Sequence, residues 1–284
     1  MKKYFLFLGI VAGLYACSSV PVTGRQQLSL VSDDDVLTSS LQQYSDYIQT
    51  AKKSTDKTAT ALVEKAGRKI AGAVEAYFKT TNQEQLIANY QWEFNLMDDP
   101  QVNAFCMPGG KIVVYTGILP YTQDETGLAV VLGHEVGHAI AKHANERMSH
   151  QIAAQYGEAG IGLLLSKSSS TVQTVGSVVY GLGAEVGVML PFSRKHELEA
   201  DHLGLIFMAI AGYDPNAAIP FWERMSQQGN KGILEFFSTH PSDNTRIAEI
   251  KKELPEAIEY YEAVWGKKNT TTPASKNSNN QWHF

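Results

Sequence analysis

Val130-Val-Leu-Gly-His134-Glu135-Val-Gly-His138-Ala-Ile-Ala-Lys-His143 contains the pattern His-Glu-x-x-His, and its spacing has a direct physical reading. On an α-helix, residues i and i+4 stand about 40° apart around the axis and about 6 Å apart along it. His134 and His138 can therefore each bring an imidazole nitrogen to one Zn2+ at about 2.0–2.1 Å. Glu135 then lies beside the metal, placed to act as general base toward the attacking water. The bland alternative is a helix carrying two incidental histidines, and the acidic segment downstream argues against it.

A catalytic zinc needs a third protein ligand and an open position. A metzincin would carry Gly at 141 and His at 144, where this chain has Ala141 and Ala144, and the inverted His-x-x-Glu-His order is absent. What remains is a glutamate from a second helix, as in His2Glu sites. Arg194-Lys-His-Glu197-Leu-Glu199-Ala-Asp201 offers candidates. Glu197 and Asp201 share a face at i, i+4, while Glu199 points away. One of the pair can ligate and the other can hydrogen-bond a ligand imidazole; spacing alone leaves the order open.

With 284 residues and 44% hydrophobic content, the chain can bury a large core. A formal net charge of −5 and the lack of a long Lys/Arg run exclude a nucleic-acid partner as the working expectation. Lys2-Lys3 followed by the apolar Tyr4–Leu14 reads as an export signal too short to span a bilayer. Leu14-Tyr15-Ala16-Cys17 resembles the lipobox of bacterial lipoproteins. The expected organisation is a signal peptide over 1–16, a lipidated Cys17 with a tether over 17–35, a metallopeptidase domain over 36–266 and a disordered tail over 267–284. The expected location is the outer membrane, lipid-anchored and facing the periplasm. Cys106, the second of only two cysteines, reads as a small buried apolar residue.

Periodicity predicts helices over about 36–48 and 59–78, then strands over 92–96, 102–107 and 111–115, with Pro108-Gly109-Gly110 as a turn. Thr122 and Glu125 have the form of a capping box, which would start the active-site helix at Gln123 and carry it to about Met148. Residues 151–190 read as two small-residue helices beside the site, too interrupted to cross a membrane. Further helices are expected over 195–211, from Pro215 with a kink at Pro220, and after a loop holding His240. The fold class is α+β: a mainly helical zincin-type peptidase with a small antiparallel edge sheet beside the active-site helix. His143, His150 and His196 read as structural or surface residues, and His202 as packed.

Four ordered motifs then coincide: His134–His138, Glu197–Asp201, Asn103-Ala-Phe-Cys-Met-Pro108-Gly109-Gly110, and Ser238-Thr-His240-Pro241. Together they resemble the HtpX/Oma/CAAX-prenyl-protease family of zinc metallopeptidases, with the layout of its soluble, periplasmic lipoprotein members. The resemblance implies one zinc per chain, with Glu197 as third ligand and Asp201 behind the ligands. It implies that Lys111, Ile112 and Val113 form the edge to which substrate backbone adds, shaped by Asn103, Pro108, Gly109 and Gly110. His240 and Arg246 would face the metal, either stabilising an oxyanion or, for His240, acting as a fourth ligand that keeps the enzyme latent. The expected function is an endopeptidase of the bacterial cell envelope degrading misfolded or misassembled envelope proteins. Its partners would be polypeptide substrates, envelope-assembly proteins and, through Cys17, the membrane. The rival of another class is a chaperone or assembly lipoprotein with a largely latent zinc site.

Overall fold

The computed structural model describes residues 17–153, 193–227, 231–240 and 244–266. The expected signal peptide, the small-residue helices beyond residue 153 and the tail from 267 lie outside the described residues.

The chain begins as an antiparallel hairpin, β1 (Cys17–Ser19) with β2 (Gln26–Leu28). The expected tether is packed. Val20 is 1% exposed within the main core, and Leu30 N–H donates to Ser149 Oγ. Burying Val20 and Val31 favours docking over a free extended chain.

Helix α1 (Asp33–Thr50) starts at Ser32, whose hydroxyl accepts from Asp35 N–H, and three aspartates fill its first turn, where the helix dipole favours negative charge. Helix α2 (Lys57–Thr80) is capped by Asp56. Its Val63, Ala66, Ile70, Val74 and Tyr77 stripe is buried, as the periodicity predicts.

Three strands follow: β3 (Glu93–Met97), β4 (Ala104–Met107) and β5 (Lys111–Tyr115). Their order is β3-β5-β4, with β5 parallel to β3 and antiparallel to β4. The sheet is therefore mixed, not antiparallel, and β5 is its centre, not its edge. Every residue of β5 is buried, which fits the unbroken Ile112-Val-Val run of a strand covered on both faces. Gly109 and Gly110 turn the chain between β4 and β5 at φ +88° and +81°.

After a short helix α3 (Leu119–Thr122), Asp124 caps α4 (Glu125–Ile140) by accepting from Gly127 N–H. The start is thus set by Asp124 rather than by a Thr122/Glu125 capping box, because Thr122 Oγ is used by Leu119 O. Every residue of α4 from Gly127 to Ile140 is buried, so the helix runs through the middle of the core. It stops eight residues short of the expected Met148. Lys142 takes φ +56°, and a new helix α5 (143–153) departs from there.

Helix α6 (Arg194–Ile210), capped by Ser193, crosses α4 backbone to backbone. A Cβ on Gly133 would lie 2.8 Å from Gly204 O, and one on Gly137 would lie 2.7 Å from Ala200 O. This close seam lets short acidic side chains of α6 reach the histidines of α4. A 3-10 turn at Pro215–Ala217 leads into α7 (Ala218–Gln227); Pro220 sits in its first turn, where no intrahelical acceptor is lost, so no kink is needed. Helix α8 (Lys231–Thr239) ends at His240, and α9 (Asn244–Trp265) packs on α6. Among the described residues, no helix is long and apolar enough to cross a membrane.

Candidate metal centre

His134 and His138 project from α4, Glu197 from the first turn of α6, and His240 from the end of α8. One ligand atom from each falls within 4.8 Å of all the others, and all four residues are buried. The separations are informative. His134 Nε2 stands 3.0 Å from His138 Nε2 and 3.3 Å from His240 Nδ1. Glu197 Oε2 is 3.4 Å from His134 Nε2, and Glu197 Oε1 is 3.4 Å from both His138 Nε2 and His240 Nδ1. Ligands bound tetrahedrally at about 2.0–2.1 Å are about 3.3–3.4 Å apart, and these separations are of that size, with Glu197 facing His134 through one oxygen and His138 and His240 through the other. Neither Glu197 oxygen makes a hydrogen bond although both are buried. Such an arrangement is costly unless a cation completes it, and the site fits Zn2+ on that ground.

The surroundings orient these groups. Asp201, one turn beyond Glu197, places Oδ1 2.9 Å from His134 Nδ1. Arg246 donates to both Asp201 oxygens, Nε to Oδ2 at 2.6 Å and Nη2 to Oδ1 at 2.8 Å. Its Nη1 lies 3.3 Å from Glu197 Oε2, and its guanidinium lies 3.6 Å from the Trp222 ring centre. Arg246 therefore grips the carboxylates behind the site. His240 stacks on Phe236 at 4.9 Å and an 18° tilt, which fixes its ring plane.

Electrostatics divide the carboxyls. Burial pushes Glu197 up, but the imidazoles of His138 and His240 outweigh it and hold the carboxyl well below its usual range. Asp201 is likewise pushed up by burial and brought down further by Arg246 and His134. Glu135 differs: burial dominates and its carboxyl is raised. Its Oε1 has no hydrogen bond and lies 3.6 Å from His240 Nε2.

The strand that the motif suggested as a substrate edge is the central strand of the sheet. Ile112 and Val113 are fully buried in the central strand, and Lys111 Nζ is taken by Gln91 O and Glu93. With partners on both sides, β5 has no free backbone edge. The outer strand beside α4 is β4. Tyr115 N–H bonds Asn103 O, so with the observed register Ala104 and Cys106 aim their peptide groups away from β5. Asn103, Pro108, Gly109 and Gly110 bracket that outer strand. Cys106 is half-buried; burial, and then the Glu135 carboxylate, push its thiol up.

Some residues near the metal escape a reading of the sequence. His143 and His196 are buried, and His143 touches His138. Glu199, expected to point away, is buried as well. The break at Lys142 is what turns His143 back, and nothing in the local pattern announces it. His150 is exposed, and His202 pairs with Glu256 at the surface.

A buried His-Glu-x-x-His helix, a glutamate from the crossing helix and an outer strand alongside define a zincin-type metallopeptidase. Residues 64–254 match the model of peptidase family M48, and the chain belongs to that family. It is 41% identical over 173 residues to the mitochondrial metalloendopeptidase OMA1 of Schizosaccharomyces pombe, covering 60% of this chain and 49% of that protein. It is 30% identical over 254 residues to the mitochondrial metalloendopeptidase OMA1 of Bos taurus, covering 85% and 47%. Similarity to the beta-barrel assembly-enhancing protease of Yersinia pestis is 29% over 165 residues, covering 56% and 34%. The chain thus spans about half the length of the first two relatives. The expectation of a lipoprotein facing the periplasm from the outer membrane is overturned, since the relatives of higher identity are mitochondrial proteins. Cys17, on which that expectation stood, is an exposed thiol opening β1.

Proposed function

We propose that this chain is a zinc-dependent endopeptidase acting on extended stretches of misfolded or misassembled polypeptides. The observation that carries the proposal is the buried cluster of His134, His138, Glu197 and His240 ligand atoms, in which the Glu197 carboxylate is left without hydrogen bonds. His134, His138 and Glu197 would hold the metal. Bound zinc supplies Lewis-acid polarisation of the scissile carbonyl and acidifies water there. Glu135 takes the proton from the attacking water and returns it to the departing amine, roles suited to its raised carboxyl. Asp201 holds His134 with Nε2 toward the ligand cluster, and Arg246 holds Asp201. The outward peptide groups of Ala104 and Cys106 accept a substrate backbone as an added strand. The substrate class is supported by relatives named as endopeptidases and, in one case, as enhancing β-barrel assembly.

The test is zinc content together with casein cleavage, on the unmodified chain and on Glu135→Gln. One zinc in each, with cleavage in the unmodified chain only, is expected. Equal cleavage by both would remove Glu135 from its role, and absence of zinc would remove the reading altogether.

A latent resting state is favoured by one observation: His240 Nδ1 joins the ligand cluster as a fourth donor, 3.3 Å from His134 Nε2 and 3.4 Å from Glu197. His240→Ala then raises peptidase activity by freeing that position. A fall in activity would instead assign His240 to oxyanion stabilisation.

A further inference from the structure

We infer that Arg25, Glu199 and His143 are positioning residues for His138, through a hydrogen-bonded relay that reaches the metal centre from the N-terminal hairpin. The inference rests on the zinc reading above but not on peptidase activity.

Arg25 closes the turn between β1 and β2, where its carbonyl accepts from Val20 N–H at 2.7 Å. Its guanidinium enters the interior and is only 14% exposed. Nε donates to Glu199 Oε2 at 2.7 Å, while Nη1 and Nη2 fork onto Glu146 at 2.9 and 2.6 Å. Thr23 Oγ donates to the other Glu199 oxygen at 2.5 Å. Glu199 Oε2 is also 2.9 Å from His143 Nε2, and His143 Nδ1 is 2.8 Å from His138 Nδ1. Glu146 engages His196 Nε2 at 2.9 Å, and the His196 ring stacks on His143 at 4.3 Å, fixing its plane.

Donor and acceptor bookkeeping gives this chain one direction. A carboxylate held by Arg25 and Thr23 can only accept, so His143 must carry its proton on Nε2. With the His143 proton directed to Glu199, the 2.8 Å contact between the two Nδ1 atoms is made by His138 donating and His143 accepting. His138 must therefore be the Nδ1–H tautomer, leaving the Nε2 lone pair aimed at His134, Glu197 and His240. Each link excludes the alternative at the next, and the tautomer that can ligate is set from 113 positions away in sequence. His134 is held more directly, with Asp201 Oδ1 2.9 Å from its Nδ1. Metal-ligating histidines commonly donate their second nitrogen to an acceptor that fixes ring and tautomer. Here that acceptor is another imidazole, and its own acceptor is secured by the segment preceding α1.

Zinc dissociation constants from chelator competition, with 15N NMR of the imidazoles, test the relay on the full chain. Arg25→Met is expected to weaken zinc binding on the order of 10-fold and Glu199→Gln about 10- to 100-fold. Arg25→Lys, which restores the charge and one hydrogen bond, recovers part of the loss. Glu84→Gln, on the exposed 3-10 turn after α2, leaves binding unchanged. In the unmodified protein His143 reads as Nε2–H and His138 as Nδ1–H, and Glu199→Gln shifts both toward mixtures. Should Glu199→Gln fail to fold, Thr23→Val removes a single bond to Glu199 and is expected to give a smaller shift of the same sign.

Zinc binding within twofold in these variants overturns the relay, as does weaker binding with unchanged tautomers. An unmodified chain that binds zinc without cleaving casein sinks the peptidase reading alone, and the variants still judge the relay. An unmodified chain that binds no zinc sinks both.

Discussion

The seam between α4 and α6 sets the metal site, and Gly204→Ala tests this directly. A Cβ at position 204 would lie 2.8 Å from the backbone nitrogen of His134 and 2.9 Å from the carbonyl carbon of Gly133. Ordinary contact begins at 3.4 Å, a shortfall of about 0.6 Å against atoms that belong to backbone and cannot rotate away. The helices must part by a comparable amount. Glu197 rides on α6 and the two histidines on α4, so the parting opens the ligand cluster, whereas metal–ligand distances tolerate only about ±0.2 Å. Overpacking of this kind costs about 1–3 kcal/mol, which in a domain of this size lowers the melting temperature by several degrees. Zinc affinity is expected to fall at least about tenfold, and further in Gly204→Val. The assay pairs thermal melting of the metal-free protein with chelator competition for zinc. Gly72→Ala is the control: its Cβ meets nothing within 4 Å on helix α2, so it should stabilise slightly and leave zinc affinity alone. A Gly204→Ala protein that melts lower but binds zinc as before would refute the idea that this seam sets the ligand geometry.

Asp201→Asn should weaken zinc binding about 10- to 100-fold by loosening His134, and should destabilise the fold because Arg246 loses its buried partner; chelator competition and denaturant melts measure the two effects. Burial and Arg246 push the His134 ring down, but Asp201 and Glu197 outweigh them and raise it to about 9 in the metal-free protein. That raised value stabilises the metal-free fold fully below about pH 6.5, and the contribution is lost as the pH rises through about 9. Because zinc must displace this proton, affinity should climb about tenfold per pH unit between those values and then level; calorimetry across the range that finds a flat affinity would refute it. Cys106→Pro removes an outward N–H of β4, so cleavage of unfolded casein should fall at least about tenfold with zinc retained, measured as a rise in KM.

Much of this protein is legible locally. His-Glu-x-x-His fixes two donors on one helical face because i and i+4 are neighbours whatever the tertiary context. The i, i+4 pair of Glu197 and Asp201 follows the same rule, the α2 stripe is written in a period of 3.6, and β5 in a short unbroken apolar run. Long-range arrangement is not written there. The pattern of β5 cannot distinguish a centre strand from an edge, since that depends on which strands flank it, and the outer strand proved to be β4 for that reason. Lys142 breaks the active-site helix through a left-handed backbone that its side-chain type does not announce, and His143, read as structural or surface, becomes a buried partner of His138. Arg25 reads as part of a polar tether until folding brings it to Glu199 and Glu146, more than a hundred residues away. Sequence by itself singled out the candidate ligands His134, His138, Glu197 and Asp201, because ligand type and helical spacing are local. Only the tertiary structure gathered them with His240 into one buried cluster and made β4 the outer strand, because burial and strand order depend on partners brought together across the whole chain.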